Sequence, residues 1–204
     1  MDQTEANGLR AQGTRSSAHT LSPECSALAA FFSPEERRRL TLDGLLNDLG
    51  GVHLPWFAAS TPRARAASLP TLPEPLVWAG RTAAWVWTGS RRRPFYEAMT
   101  APGRRWDIRR DALGSGVICR IRHMRLQHSH VDALDRARVT GPTRTARDLA
   151  MTLEHPDDCV LLADLAAQHR HAVERALPLL PAGDQTQHSA HARRALQQAL
   201  ALSR

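Results

Sequence analysis

The chain predicts an α+β fold: a reduced winged-helix-like N-terminal region, followed by a small mixed sheet packed with helices. Three observations predict it. Two Ser-Pro-Glu helix starts, at Ser22 and Ser33, precede a Gly50-Gly51 hairpin signal. Short β-prone runs at residues 117–122 and 137–140 follow, separated by turn residues. The second of these runs leads straight into a helix pattern, as expected where helices cover a sheet. The organisation expected is a polar tail over 1–20, the winged-helix-like region over 21–60, the α+β domain over 61–178, and a C-terminal helix over 179–204.

Residues 1–20 are polar and poor in large apolar groups, so they cannot bury enough surface to offset ordering. Ser22-Pro23-Glu24 opens one helix, with Leu28, Phe31 and Phe32 on its apolar side. Ser33-Pro34-Glu35-Glu36 opens a second, short one, with Glu36 placed to complete a capping box. The sequence from Thr41 to Gly44 is expected to break it. Residues 45–49 and 52–54 then flank the glycine pair as two strands. Thr61-Pro62 starts another helix, and Pro70, Pro73 and Pro75 form a rigid connector. A helix over 81–87 carries Trp85, with Trp78 and Trp87 near it, and this cluster reads as core rather than a base-stacking platform. Arg91, Arg92 and Arg93 sit in a loop before Pro94. Residues 95–100 alternate weakly. The run 117–122 is the clearest strand and places Arg120 and Arg122 on one face. Residues 124–127, including Arg125, continue this strand or pair back. Asp157 and Asp158 fall in the first turn of the next helix, where negative charge suits the dipole. His169, Arg170 and His171 read as its solvated end. Over 190–202, Leu196 and Leu200 fall four apart, on a helix that packs back or pairs with another copy.

Composition narrows the function classes. No apolar run reaches 18 residues, so no membrane span is expected, and the N-terminus lacks the apolar core of a secretory signal. A cytoplasmic protein is the expectation. Cys25, Cys119 and Cys159 lie far apart and read as buried thiols rather than a disulfide framework or a zinc site. His123, His128 and His130 match no ligand spacing, and neither metal nor cofactor is expected. All 27 basic residues are Arg, and the net charge is +7. From Arg81 to Arg147 there are 15 Arg and five acids, a local balance of +10. A basic domain favours polyanions, and the planar guanidinium binds two phosphate oxygens at once. A solvated surface is the plainer reading of the same charge.

The run from Arg138 to Ala150 is the most informative stretch. It combines a β-prone start, an N-cap at Thr140 or Gly141, Pro142 in the first helical turn, and a stripe at Leu149, Ala150 and Leu153. Arg144 and Asp148 are four apart and face each other. At the surface such a pair contributes only about 0.2–0.5 kcal/mol. This run resembles the V-T-[ST]-P-x-R-T-x-x-D-L-A segment of the AbiEi-type antitoxins of bacterial type IV toxin–antitoxin systems. Thr140, Pro142, Arg144, Thr145 and Asp148 match, together with Val139, Leu149 and Ala150, while Gly141 replaces a small hydroxyl residue. Residues 79–89, with Gly80, Arg81 and Trp85, resemble the family's "sGrtAAwl-G" helix, and the two blocks keep the family's order and spacing. The family's winged helix-turn-helix ends in a "GVY" strand, here Gly51-Val52-His53, with His53 replacing the aromatic residue.

The resemblance implies a non-catalytic antitoxin that represses its own promoter through DNA. It opposes a nucleotidyltransferase-like toxin, without a stable complex between them. No nucleophile elbow, Walker loop, zincin or dinucleotide-binding fingerprint is present, so no enzyme is expected. Some relatives carry a further nuclease-like domain, which these 204 residues are not expected to contain. The candidate nucleic-acid contacts are Arg37, Arg38 and Arg39, Arg91, Arg92 and Arg93, and Arg120, Arg122 and Arg125. Arg37 to Arg39 equally suit a helix C-terminus. A helix-turn-helix needs three helices and a long recognition helix, and only two short ones are legible here. The alternative is therefore an orphan AbiEi-like protein-binding module that has lost DNA reading.

Overall fold

The computed structural model describes residues 31–48, 53–55, 61–90, 95–102, 118–181 and 187–203. The polar tail, the Ser22 helix start, Cys25, Gly50-Gly51, the Arg91–Arg93 loop and residues 103–117 lie outside the described residues. The fold is α+β, built on a five-stranded mixed sheet and a separate two-stranded hairpin.

Helix α1 (Pro34–Leu42) begins with the capping box legible in the sequence. The Glu36 N–H donates to the Ser33 hydroxyl at 3.2 Å, and the Ser33 N–H donates to the Glu36 carboxylate at 2.7 Å. The helix runs past Leu40 to Leu42, and the Thr41 hydroxyl donates to the Arg37 carbonyl at 2.8 Å. It stops at Gly44, whose φ of +74° favours a residue without Cβ. Strands β1 (Leu46–Asp48) and β2 (His53–Pro55) then pair antiparallel, with Asp48 opposite His53. Thr41 Oγ1 meets His53 Nδ1 at 3.2 Å and ties helix to hairpin.

Helix α2 (Pro62–Ala67) starts at Thr61, whose hydroxyl accepts the Ala64 N–H. The sheet follows: β3 (Val77–Trp78), β4 (Phe95–Thr100), β5 (Ile118–His123), β6 (Val131–Leu134) and β7 (Ala137–Thr140), in the order β5–β4–β3–β7–β6. β3 is central and pairs antiparallel with β4 and parallel with β7. β5 is parallel to β4, and β6 and β7 form a hairpin. Residues 124–127 do not extend the sheet as a strand, and a 3₁₀ turn (His128–His130) leads into β6. The sequence does not announce β6. Its residues Val, Asp, Ala and Leu do not alternate, and the strand forms because Asp135 adopts φ +54° and turns it onto β7.

Helices α3 (Gly80–Thr88), α4 (Pro142–Met151), α5 (Pro156–Gln168), α6 (Arg170–Ala176) and α7 (Gln187–Leu202) complete the domain. Every residue of α3 is buried. Trp78, Trp85 and Trp87 are core, as their spacing suggested, and the Trp87 indole N–H donates to the Thr140 carbonyl at 2.8 Å. Leu161, Leu162, Leu165 and Leu196 are also buried, each contributing roughly 1.5–3 kcal/mol by area. Helix α7 packs back: Ala192, Leu196 and Ala199 form one stripe in the same core.

Three expectations are corrected. Leu153 lies beyond the end of α4 and is only half-buried. Cys159 is exposed on α5, because the apolar face of that helix is taken by Leu161, Leu162 and Leu165, and Cys119 is half-buried on β5. Residues 169–171 are solvated only in part: His171 is exposed, but the chain turns at His169 and continues as α6, and His169 and Arg170 are half-buried. The His169 ring packs edge-on against Trp87, with centroids 5.7 Å apart, and Arg170 donates to the Leu200 carbonyl at 3.1 Å.

Candidate functional site

The two motif blocks, residues 79–89 and 138–150, each build one buried ion-pair centre. The first begins at Gly80. Its φ is +55°, and a Cβ there would fall 2.1 Å from the Glu97 carboxylate. The missing Cβ lets Glu97 reach the start of α3 from β4 and accept the Arg81 backbone N–H at 2.6 Å. A carboxylate at a helix N-terminus is favoured by the exposed N–H groups and the dipole. The Thr82 hydroxyl accepts the Glu97 N–H at 2.8 Å, so three successive residues of the motif address one residue of β4. The far end of α3 is covered by Arg65, whose guanidinium donates to the carbonyls of Val86 (2.8 Å) and Trp87 (3.2 Å). Burial pushes the Arg65 pKa down. One helix thus has an acid at its positive end and a base at its negative end, both supplied by other elements.

The Arg81 side chain turns away from the helix toward α5. Its Nε and Nη2 donate to the two carboxylate oxygens of Asp158 at 2.6 and 2.8 Å, and Nη1 meets Glu97 at 3.1 Å. Asp158 does more than complement a dipole, the role its position suggested. It accepts the backbone N–H groups of Glu154 (3.1 Å) and His155 (2.9 Å). Burial raises its pKa, but the Arg81 hydrogen bond and charge and these backbone donors outweigh burial, and the net direction is down. From this centre a chain of charges runs outward. Arg122 lies 3.5 Å from both Glu97 and Glu154, and the exposed Arg120 donates to Glu154 at 2.5 and 3.1 Å. Cys119, beside this chain on β5, has its thiol pushed up to about 11 by burial and by Glu97.

The second centre sits on the same face of β4, two residues on at Met99, roughly 7 Å along the strand. Pro142 occupies the first turn of α4, Gly141 is the N-cap, and Thr145 donates to the Thr140 carbonyl at 2.9 Å. Arg144 and Asp148 pair at 2.7 Å, but they are 5% and 4% exposed. The surface value expected of an i,i+4 pair therefore does not apply. An arginine N-terminal to its acid is the weaker order on a helix, and further partners offset it. Arg144 donates to the Arg125 carbonyl and meets His130 Nδ1, each at 3.0 Å, and it touches the Met99 sulfur at 3.8 Å. Arg147 adds a second guanidinium to Asp148 at 3.2 Å.

Of the proposed nucleic-acid contacts, Arg38, Arg39 and Arg125 are exposed and make no ion pair among the described residues, and Arg37 is half-buried on α1. Arg120 and Arg122 share a face of β5 as read, and both are engaged by Glu154. Arg91 to Arg93 lie outside the described residues. The motif residues Gly80, Arg81, Trp85, Thr140, Pro142, Arg144, Thr145 and Asp148 come together in one core, joined through β4. Glu97 and Arg65 were not singled out, and Asp158 was read only as complementing the dipole of its own helix. Only Asp158 carried a signal, its place three residues after the His155 cap.

Every acid of the two centres meets a guanidinium, so the arrangement neutralises buried charge and locks α3, α4 and α5 to the sheet. Among the described residues, no group of three His, Cys, Asp or Glu is placed to hold a metal ion, and no helix is long and apolar enough to cross a membrane. No protein-family model, no curated protein and no solved structure matches this chain.

Proposed function

We propose that this chain is a non-catalytic, DNA-binding regulator of the AbiEi antitoxin type, acting on its own promoter and opposing a nucleotidyltransferase-like toxin without a stable complex. The observation that carries the reading is the convergence of the two resembling blocks. Residues about 60 apart in sequence pack as α3 against α4, joined by the Trp87–Thr140 hydrogen bond, so the motif acts as one unit. The net charge of +7 and the exposed Arg38, Arg39 and Arg125 favour a polyanion. In this reading α1 and the β1–β2 hairpin are the remnant of a winged helix.

The test is fluorescence anisotropy with the upstream duplex of its own gene and a scrambled duplex, across a salt series. Tighter binding to the native duplex with a steep salt slope is expected. Charge reversal at Arg91, Arg92 and Arg93 weakens binding and flattens the slope by about one unit for each phosphate no longer neutralised. Equal affinity for both duplexes would sink the promoter reading.

A second reading, a protein-binding module, is favoured by one observation. Phe31, Leu42 and Leu45 are 79%, 81% and 52% exposed around α1. A complex held by those residues barely responds to salt.

A further inference from the structure

A half-open cleft of about 660 Å³ lies between the C-terminal end of α4 and the first turns of α7. Neither ion-pair centre lines it, and none of the proposed nucleic-acid contacts does. Its apolar part comes from Met151 and Leu153. His188, His191 and Arg194 line the other side, three residues apart and therefore on one face of α7. Arg194 is exposed and has no ion pair among the described residues.

The single acid in the lining is Glu154. Its carboxylate is already engaged by Arg120 at 2.5 and 3.1 Å and approached by Arg122 at 3.5 Å. Those two guanidiniums hold the Glu154 charge and leave Arg194 without a counter-charge among the described residues, beside two imidazoles that can donate hydrogen bonds. The cleft is thus complementary to an anion. Its volume falls within the range of roughly 300–1,000 Å³ typical of organic-ligand sites, larger than a bare inorganic ion requires. A guanidinium fork suits phosphate, and a methionine thioether makes favourable contacts with an aromatic ring.

We propose that this cleft binds a nucleoside phosphate, with the base over Met151 and Leu153 and the phosphate between Arg194 and the imidazoles of His188 and His191. The ligand is either a free mononucleotide or the terminal nucleotide of a strand. The site stands independently of promoter binding, because a duplex keeps its bases stacked and does not present one to a cleft of this kind. Glu154 is the one acid in the lining and repels an anion bound beside it, so removing its charge tightens binding. A purely structural role for Glu154 does not produce that effect.

Isothermal titration calorimetry of the full chain tests this. The titrants are the four common ribonucleoside monophosphates, inorganic phosphate, and a short 5′-phosphorylated single strand. Saturable one-to-one binding of at least one monophosphate is expected. Arg194→Ala should weaken it about tenfold or more, the scale of a hydrogen bond to a charged group. Glu154→Gln should tighten it several-fold, and Arg175→Ala, an exposed arginine on α6, should leave it unchanged. Binding of the strand without the monophosphates, sensitive to Arg194→Ala, assigns the strand end as the source. Inorganic phosphate binding as well as any nucleotide overturns the proposal. So does a lack of binding to every nucleotide and strand, or affinity indifferent to both Arg194→Ala and Glu154→Gln.

Discussion

Asp158 and Asp148 are both buried carboxylates against a buried arginine, yet their pKa values move in opposite directions. Asp148 is raised: burial dominates, and the hydrogen bond and charge of Arg144, with Arg147 and His130 behind it, do not overcome it. Asp158 is lowered, because its oxygens face both arms of Arg81 and also two backbone N–H groups at the start of α5. A guanidinium alone does not settle the ionisation of a buried acid. The depth of burial and the number of N–H donors that replace its lost water do so together: Asp148 lies deeper and meets fewer donors.

Substituting each acid tests that contrast most strongly. Asp158→Asn should cost roughly 3–5 kcal/mol, because the buried Arg81 loses the charge it pairs with and the amide offers one acceptor oxygen where the carboxylate offered two. Asp148→Asn should cost less, about 1–3 kcal/mol, since the folded site already disfavours the charged form. Urea unfolding of both variants measures the difference, and equal losses would show that donor count does not separate the two centres. Gly80→Ala comes next. The substitution strains a positive φ and pushes Glu97 off the N-terminus of α3, for a combined loss of roughly 2–3 kcal/mol. A fully stable Gly80→Ala variant would mean that Glu97 does not cap α3.

The smallest effect separates the centres by pH. Burial lowers the His130 pKa, and the Arg144 charge lowers it further. Its folded value lies below 6.5, so the stability it contributes is complete above 6.5 and is lost as pH falls through the folded value. Asp148 works the other way, because its raised folded pKa lets the folded state take up a proton before the unfolded chain does. Unfolding from about pH 8 to about pH 5 should therefore show a loss in the native chain that is smaller in His130→Gln, on the scale of one hydrogen bond, about 1 kcal/mol. Identical pH profiles would remove His130 from the account.

Local chemistry was readable in the sequence wherever a residue acts on its near neighbours. Ser33 and Glu36 cap α1, Pro142 opens α4, and Trp78, Trp85 and Trp87 are core because such surface has nowhere else to go. The candidate site was legible in part. Arg81, Arg144 and Asp148 stood out through the resembling motifs, but Arg144 with Asp148 looked like a surface pair. Helical spacing says which side chains meet, not how much water surrounds them. Strand β6 was missed because its residues carry no period of two, and pairing with β7 supplies what propensity did not.

What the sequence determined by itself was the α+β class, the helix starts at Ser33, Thr61 and Pro142, the hairpin and the basic character of the middle of the chain. Those properties follow from bonds and patterns spanning a few residues. Tertiary structure alone decided that Arg81 reaches Asp158, 77 positions away, that Glu97 and Arg65 cap a helix to which neither belongs, and that α7 completes the core. Arg is the sole basic residue type, with 27 positions against 20 acids, so the chain allows far more Arg–acid pairings than it can form. Only packing selects among them, because a charge buried without its partner costs several kcal/mol and the fold keeps those in which each is met.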